Sequence, residues 1–528
     1  MTESKNKIAK SGVLMLAISG LIAKVIGAVY RIPLTNILGA EGIGVYQLVF
    51  PLFALVLALS TSYIPIGLSR LVAYHNAKGE VEKVNGALKG ALLFTLLTSV
   101  VCVAVVLALA TPLSLAQKNS SLVWCYYAIV PTILFVALSN VCKGWFFGVS
   151  NMLPNSITQM LEQIVKLAVG LSLAKALVSR GIIYGVVGAL AGLAAAEFVS
   201  LVVVAIWFFL SRAKSKEKSP KFNYPLFSVA KTFSPIMLSG LIFPIVGFVD
   251  SLLILRLLGW FGLGSNVATA QYGLLSGPIG SLVNLPVVIS ISLAMAIVPA
   301  VSSGIANFDV VSIKRKTASS IKISYLVCVP CFLGMFLLAN PIISLLYPSL
   351  SAEETLLSQN ILRLLSINVV FLSQLEILNA MLQGLNKSKE VFLILAVSAV
   401  VKIVVSIATV PFLGIYGACI SSIVFYLVAF VTDIIYYNYL VGKNKKLLEN
   451  ISKILCCGVI MSVAVGGSIW FVSNNILAIF VGIFVGVAIY SLSIVTLKAL
   501  DKDELASLPL VGKWFAKKLS TKTLDKTN

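Results

Sequence analysis

Apolar runs of about twenty residues recur along this chain from its first residues to about Lys498, and a run of that length is enough to cross the hydrocarbon core of a bilayer. Inside lipid the backbone must satisfy its own N–H and C=O groups, so such runs can only be helices. The chain is 59% hydrophobic and 11% charged, with a mean hydropathy of +1.02, whereas a soluble domain carries roughly 25% charged residues. A water-soluble enzyme is excluded. The reading is an all-α polytopic membrane protein of about fourteen transmembrane helices, the first over 11–36 and the last over 476–498. The intervals between them are too short to hold a soluble domain.

The 40 Lys+Arg against 19 Asp+Glu give a net charge of +21. A nucleic-acid partner would need those cations on one folded polar face, but they sit in short loops between apolar runs. Taking the loops alternately, one side holds 29 cations, among them Lys5, Lys78, Lys143, Arg212, Lys314, Lys387, Lys443 and seven tail lysines, and the other holds only Lys118, Lys175 and Arg180. That split predicts both termini on the cytoplasmic side. Lysines ahead of the first apolar run resemble a secretory signal, but a repeat described below places 19–39 in the mature fold.

All eight cysteines lie in apolar segments, and Cys328 and Cys331 flank Pro330 as C-x-x-C. A redox or zinc role needs access or further ligands, so a structural role is expected. The single histidine, His75, sits in a polar stretch after the second span and reads as solvated. There is no G-x-x-x-x-G-K-[ST] phosphate loop, and Gly39-Ala-Glu-Gly42-Ile-Gly44 reads as a turn. No cofactor and no metal are expected, which leaves an ion gradient, membrane potential or substrate supply to drive uphill movement.

The chain also repeats itself. At an offset of 220, Ser19-Gly20-Leu21-Ile22 matches Ser239-Gly240-Leu241-Ile242, Gly27 matches Gly247, Val29 matches Val249, and Leu38-Gly39 matches Leu258-Gly259, so that eight of 21 positions agree. At 236, Val165-Lys166 matches Val401-Lys402 and Gly148 matches Gly384. Gly185-x-x-Gly188-Ala189 matches Gly414-x-x-Gly417-Ala418. Two six-helix lobes follow, 1–224 and 225–445, then an extra helix pair over 446–500 and a basic tail over 501–528. An even number of spans per lobe gives both the same topology, around a central cleft at the bilayer midplane.

An ionised side chain at the bilayer centre costs at least ~2.5–3.5 kcal/mol, so those present usually face a cavity or a partner. Here they are Lys24, Arg31, Glu162, Lys166 and Glu197, then Asp250, Arg256, Arg363, Glu376 and Lys402. Lys24, Arg31, Lys166, Asp250, Arg256 and Lys402 are the substrate-binding candidates. Glu162, Glu197, Arg363 and Glu376 are candidates for ion coupling or for structural pairs. Each has a plainer alternative. Glu162 and Lys166 have the four-residue spacing of an intrahelical ion pair. Arg31, Arg256 and Arg363 lie near span ends and can snorkel, and Arg70 and Asp433 read as anchors at the cytoplasmic face. Lys24 is mid-span with no carboxylate three or four residues away. Prolines such as Pro65, Pro131, Pro244, Pro278 and Pro330 interrupt the spans as hinges or as static kinks.

Lys24-Val-Ile-Gly27-x-x-x-Arg31, Leu38-Gly39-Ala-Glu-Gly42-Ile-Gly44-Val-Tyr46 and Ile64-Pro65-Ile-Gly-Leu-Ser69-Arg70 resemble the multidrug/oligosaccharidyl-lipid/polysaccharide exporter superfamily. The chain is most similar to its SpoVB/YtgP-like and MurJ-like members, over its whole length. The resemblance implies a V-shaped two-lobe flippase of the bacterial cytoplasmic membrane that moves undecaprenyl-pyrophosphate-linked glycans, lipid II foremost, by alternating access. It also implies cavity-lining cations on the first helix, which Lys24 and Arg31 match with lysine in place of one arginine and a spacing of seven instead of six. The cation expected in helix eight is missing, which favours the SpoVB/YtgP branch. The lipid-tail groove maps to the last two spans, where no residue between Ile454 and Leu497 is charged. A pyrophosphate needs cationic partners, and a prenyl tail worth ~0.8 kcal/mol per CH₂ kept apolar needs such a groove.

Other functions stay open at this level: a cation-coupled multidrug exporter using the four carboxylates, an exporter of another polysaccharide repeat unit, and a non-transporting membrane scaffold. A coupling ion and contacts with cell-wall synthesis proteins are open partners alongside the bilayer itself.

Overall fold

The structure, a computed structural model, describes residues 2–213, 224–306, 309–442, 444–470, 472, 474–497 and 499. The loop cations of 214–223 and the basic tail over 501–528 lie outside the described residues. Every described element is a helix or a connecting turn, with no strand among the described residues. In chain order the first are α1 (Thr2–Ser60), α2 (Ile64–Ala77), α3 (Val81–Ala116), α4 (Leu122–Gly148), α5 (Leu153–Val165), α6 (Leu171–Val178), α7 (Ile182–Ala213), α8 (Leu226–Ser239), α9 (Ile242–Trp260) and α10 (Ser265–Leu274). There follow α11 (Gly280–Ala306), α12 (Val310–Leu337), α13 (Ala339–Leu346), α14 (Ala352–Leu365), α15 (Asn368–Gly384), α16 (Ser388–Leu413), α17 (Ile415–Val441), α18 (Lys445–Trp470) and α19 (Asn475–Thr496).

Eleven of the described segments are long and apolar enough to cross a membrane, or twelve with α14 and α15 taken as one span bent by 42°. The expected fourteen is not reached this way, for two physical reasons. The first two spans run together as one element, divided only at Gly39, whose φ of 69° breaks the helical path. The segment over residues 153–178 is broken by a π-helical turn at Lys166–Gly170. The glycine-rich 39–44 stretch is a turn at Gly39 alone: Gly42 and Gly44 are helical, and a Cβ on Gly44 would meet the Thr269 carbonyl oxygen of α10 at 2.2 Å.

Two compact units can be distinguished. The first comprises residues 1–288, 346–361 and 387–429, and the second residues 289–345, 362–386 and 430–528. In the first, Tyr63, Ile64, Leu68, Val84, Ala91, Val141 and Phe233 form a buried cluster from α2, α3, α4 and α8. The rings of Tyr63 and Phe233 are 5.7 Å apart. Between helices in lipid, close van der Waals packing on small residues replaces the hydrophobic drive of water. Gly192 on α7 shows this directly, since a Cβ there would lie 2.2 Å from the Cα of Gly170.

In the second unit, α12 packs on α15 and α18, and α18 on α19. Its interior is partly polar. Gln374 donates to Ser324 Oγ at 3.0 Å and to Cys328 Sγ at 3.6 Å, and Ser324 and Ser290 share a hydrogen bond of 2.8 Å. Tyr490 of α19 donates to the Leu326 carbonyl at 3.0 Å.

The matched glycines of the sequence repeat do matched jobs. Gly188 on α7 lies against the backbone of Leu173 and Ala174, and Gly417 on α17 against that of Thr409 and Val410, where a Cβ would come within 2.7 and 2.6 Å. Gly148 at the end of α4 sits on Val72, within the first unit, and Gly384 at the end of α15 sits on Val301, within the second.

Candidate functional site

Two consecutive residues of α1, Tyr30 and Arg31, touch the two π-helical turns found among the described residues, and both turns belong to the first unit. A π-turn is rare and often marks a functional site, because the extra residue re-aims side chains and loosens the carbonyl ladder. At the first turn, Lys166 Nζ lies 4.8 Å above the Tyr30 ring. Gly170 ends that turn and leaves room for the same ring, since a Cβ there would be 3.0 Å from Tyr30 Oη. At the second turn, Leu275–Ile279, two carbonyls of the turn accept from Arg31. Its Nη1 donates to Ser276 O at 3.3 Å and Gly277 O at 3.2 Å. The guanidinium also lies 6.0 Å from the Phe50 ring. Arg31 is therefore turned inward to α1's neighbours instead of snorkelling. Neither Arg31 nor Lys166 forms an ion pair with a carboxylate among the described residues.

The four-residue spacing of Glu162 and Lys166 does not produce a pair. Glu162 instead takes Lys143 Nζ of α4 at 2.5 Å and the Ser200 hydroxyl of α7 at 2.6 Å, while Lys166 turns to the Tyr30 ring. Lys143, grouped with the loop cations from sequence, is thus a half-buried ion-pair partner whose side chain is 15% exposed. Glu197 lies within electrostatic reach of Glu162, Lys143 and Lys166.

Lys402 is buried on α16 and forms an ion pair with Asp250 of α9, with its ammonium 5.7 Å from the Phe425 ring. The sequence repeat gives this pair its meaning. Lys402 matches Lys166 at an offset of 236, and Asp250 matches Tyr30 at 220. The matched sequence positions thus carry two electrostatic arrangements: a lysine ion-paired with a carboxylate, and a lysine resting on an aromatic face with Glu197 in electrostatic reach but no direct ion pair.

The remaining candidates are dispersed. Lys24 is exposed on α1, two turns before Arg31 and on the same face. Arg256 is exposed on α9 and lines a cleft with Lys118, away from Arg31. Arg363 on α14 and Glu376 on α15 are half-buried in the second unit.

Three residues were misread or passed over from sequence. His75 is buried, not solvated: its Nδ1 lies 2.7 Å from Glu80 Oε2 and its ring meets Tyr224 edge-on. Hydrogen bonds from His75 and Lys83 hold the Glu80 carboxyl below the usual carboxylate range. Asp433 is not a surface anchor. It is fully buried in α17, and neither of its carboxylate oxygens has a hydrogen-bond partner. Tyr30 carried a sequence signal in its match to Asp250, visible only once its contact with Lys166 is known.

Residues 9–305 match the polysaccharide biosynthesis protein family, and residues 235–408 match the MatE family. Among curated proteins of Bacillus subtilis (strain 168), the chain is 26% identical to stage V sporulation protein B over 519 residues, covering 95% of this chain and 98% of that protein. It is 23% identical to the lipid II flippase MurJ over 479 residues, covering 86% and 87%. Among solved structures, the lipid II flippase MurJ in an inward closed conformation superposes with a TM-score of 0.68 at 14% identity, covering 91% of this chain and 98% of that one. An inward-facing multidrug resistance MATE transporter gives 0.66 at 18%, covering 82% and 98%. These likenesses establish the fold. With its family match extending over more than half of the 528 residues, the chain belongs to the polysaccharide biosynthesis protein family, a branch of the exporter superfamily that also contains the MATE transporters.

Proposed function

We propose that this protein is a flippase that carries undecaprenyl-pyrophosphate-linked cell-wall precursors, lipid II foremost, across the bacterial cytoplasmic membrane by alternating access, with both termini cytoplasmic. The observation that carries this reading is the pair of cations at the two π-turns. Arg31 and Lys166 lie within helices of one compact unit and form no direct ion pair with a carboxylate among the described residues, Glu197 acting on Lys166 only at longer range, and a half-buried cation of that kind gains from a bound anion. A pyrophosphate would accept charge-assisted hydrogen bonds from both. Arg31 spends one nitrogen on the Ser276 and Gly277 carbonyls and keeps its other donors for a ligand. Lys24, two turns away on the same face, extends the cationic track.

In this reading Lys402 and Asp250 neutralise one another and tie α9 to α16, so they stand behind the site instead of on the substrate. The prenyl tail would follow the uncharged stretch from Ile454 through α19. The name of one relative agrees with a lipid-linked cargo, and the excess of cations over carboxylates among the intramembrane candidates agrees with an anionic one. The protein transfers its cargo and makes no bond in it.

Depletion of the protein, with identification of the lipid-linked precursor that accumulates on the inner leaflet, tests the assignment. Arg31→Ala combined with Lys166→Ala should reproduce the accumulation at normal protein levels. Full flipping by that variant would overturn the cationic site and shift the reading to a cation-coupled exporter built on Glu162 and Glu197.

A further inference from the structure

A second cationic cleft lies where α3 ends and α9 turns into α10. It is lined by Gln117, Lys118, Arg256, Gly259, Ser265 and apolar neighbours, and no carboxylate lines it. Its two cations are exposed, and neither makes an ion pair among the described residues. Lys118 is the more telling because it is one of only three cations that the loop charge pattern leaves on its side of the chain. It is also held in place: its φ of 55° is left-handed, its carbonyl accepts the Ser265 hydroxyl at 3.2 Å, and its ammonium lies against Gly259, where a Cβ would approach it to 3.3 Å. A side chain larger than hydrogen at 259 would displace the ammonium by a few tenths of an ångström.

Beneath the two cations is a buried donor. Gln117 is fully buried, and its Oε1 accepts the Tyr126 hydroxyl at 2.8 Å, which fixes the amide. Its Nε2 then carries two N–H groups with no hydrogen-bond partner. A buried donor left unmade costs about 1–3 kcal/mol, and two cations facing one cleft repel one another. Both costs are removed by one event, the entry of an oxyanion. The cavity has a volume of about 20 Å³, enough for one water-sized group. Gln117 borders this cavity without exposing surface to it, so an anion oxygen seated there would reach its Nε2 after a small shift of the amide, with the rest of the anion at the mouth between Lys118 and Arg256.

We propose that this cleft is a phosphate-binding site, separate from the site at Arg31 and Lys166. Its ligand is a phosphate group, carried either by an anionic lipid headgroup or by a free or substrate phosphate. The cleft lies at the ends of spanning helices, the depth at which lipid phosphates sit, so both sources can reach it. The site does not depend on the flippase reading, because any phosphate-bearing ligand satisfies its donors.

The test uses the full-length protein in nanodiscs of phosphatidylcholine alone or of phosphatidylcholine with phosphatidylglycerol. Binding of inorganic phosphate is followed by the fluorescence of Trp260, which is exposed beside Gly259. In phosphatidylcholine, phosphate should titrate the signal, and Lys118→Gln with Arg256→Gln should weaken binding at least tenfold. Gln117→Glu keeps an acceptor for Tyr126 and the same shape but turns the buried donor into an acceptor, and it should weaken binding by a similar factor. Competition by phosphatidylglycerol identifies the headgroup as the ligand, and indifference to it identifies a free or substrate phosphate. Equal phosphate binding by wild type and by both variants, in both lipids, overturns the site.

Discussion

Tyr30→Asp rewrites one half of the duplicated contact into the other. In the wild-type protein Lys166 rests 4.8 Å above the Tyr30 ring, an interaction worth about 0.5–2 kcal/mol that leaves the ammonium without a direct ion pair. At the matched position Asp250 neutralises Lys402. An aspartate at 30 should do the same to Lys166, at a site whose geometry the 250/402 pair shows to be foldable. The cost falls on the ligand. A charge-assisted hydrogen bond to a phosphate contributes about 1.5–3 kcal/mol, so its loss corresponds to roughly ten- to hundred-fold weaker binding. The assay is binding of a polyprenyl-pyrophosphate to purified protein, with flipping in proteoliposomes and thermal unfolding measured in parallel. Tyr30→Phe is the control. It keeps the ring and removes a buried hydroxyl with no hydrogen-bond partner, so binding should hold and stability should be equal or slightly higher. A folded Tyr30→Asp protein that binds and transports like wild type would refute the reasoning, because a neutralised Lys166 could not then be part of the anion site.

Asp433→Asn should be neutral or stabilising by up to about 1–3 kcal/mol, since it replaces a buried carboxyl that nothing around it satisfies with a group of the same shape; a lower melting temperature in detergent would show that the carboxylate is needed. Glu80→Gln should remove an acid-sensitive clamp between α2 and α3. Because Glu80 is held below its ordinary range, its contribution is present above the unfolded value of about 4.3 and is lost as pH falls through the lower folded value. The variant should therefore melt lower than wild type near neutral pH and converge with it in strong acid, and an undiminished difference there would disprove the linkage.

Much of this architecture follows from the order of residues alone. Apolar runs of bilayer length must become helices, because nothing in lipid satisfies an open backbone, and the alternation of charged loops predicts how they thread. The paired glycines at 148 and 384, and at 188 and 417, mark close approaches because a repeat keeps what packing demands. The first-helix cations were likewise visible as charges too expensive to be incidental.

The partners of those charges were not legible, because sequence spacing reports only neighbours on the same helix. Glu162 and Lys166 have the right spacing for a pair, yet Lys166, at the start of a π-turn, lies over the Tyr30 ring and Lys143, 19 residues before Glu162, takes the carboxylate. That turn depends on Gly170 seating both Tyr30 and Gly192, which come from other helices. His75 reads as solvated until Tyr224, 149 residues later, closes over it. Asp433 reads as an anchor until the helices around it bury it. Lys166 and Lys402 look equivalent in sequence, and tertiary packing alone decides that one meets a carboxylate and the other an aromatic face. The free energy of a charge in a membrane is set by its contacts within a few ångströms, and for these residues those contacts come from distant parts of the chain.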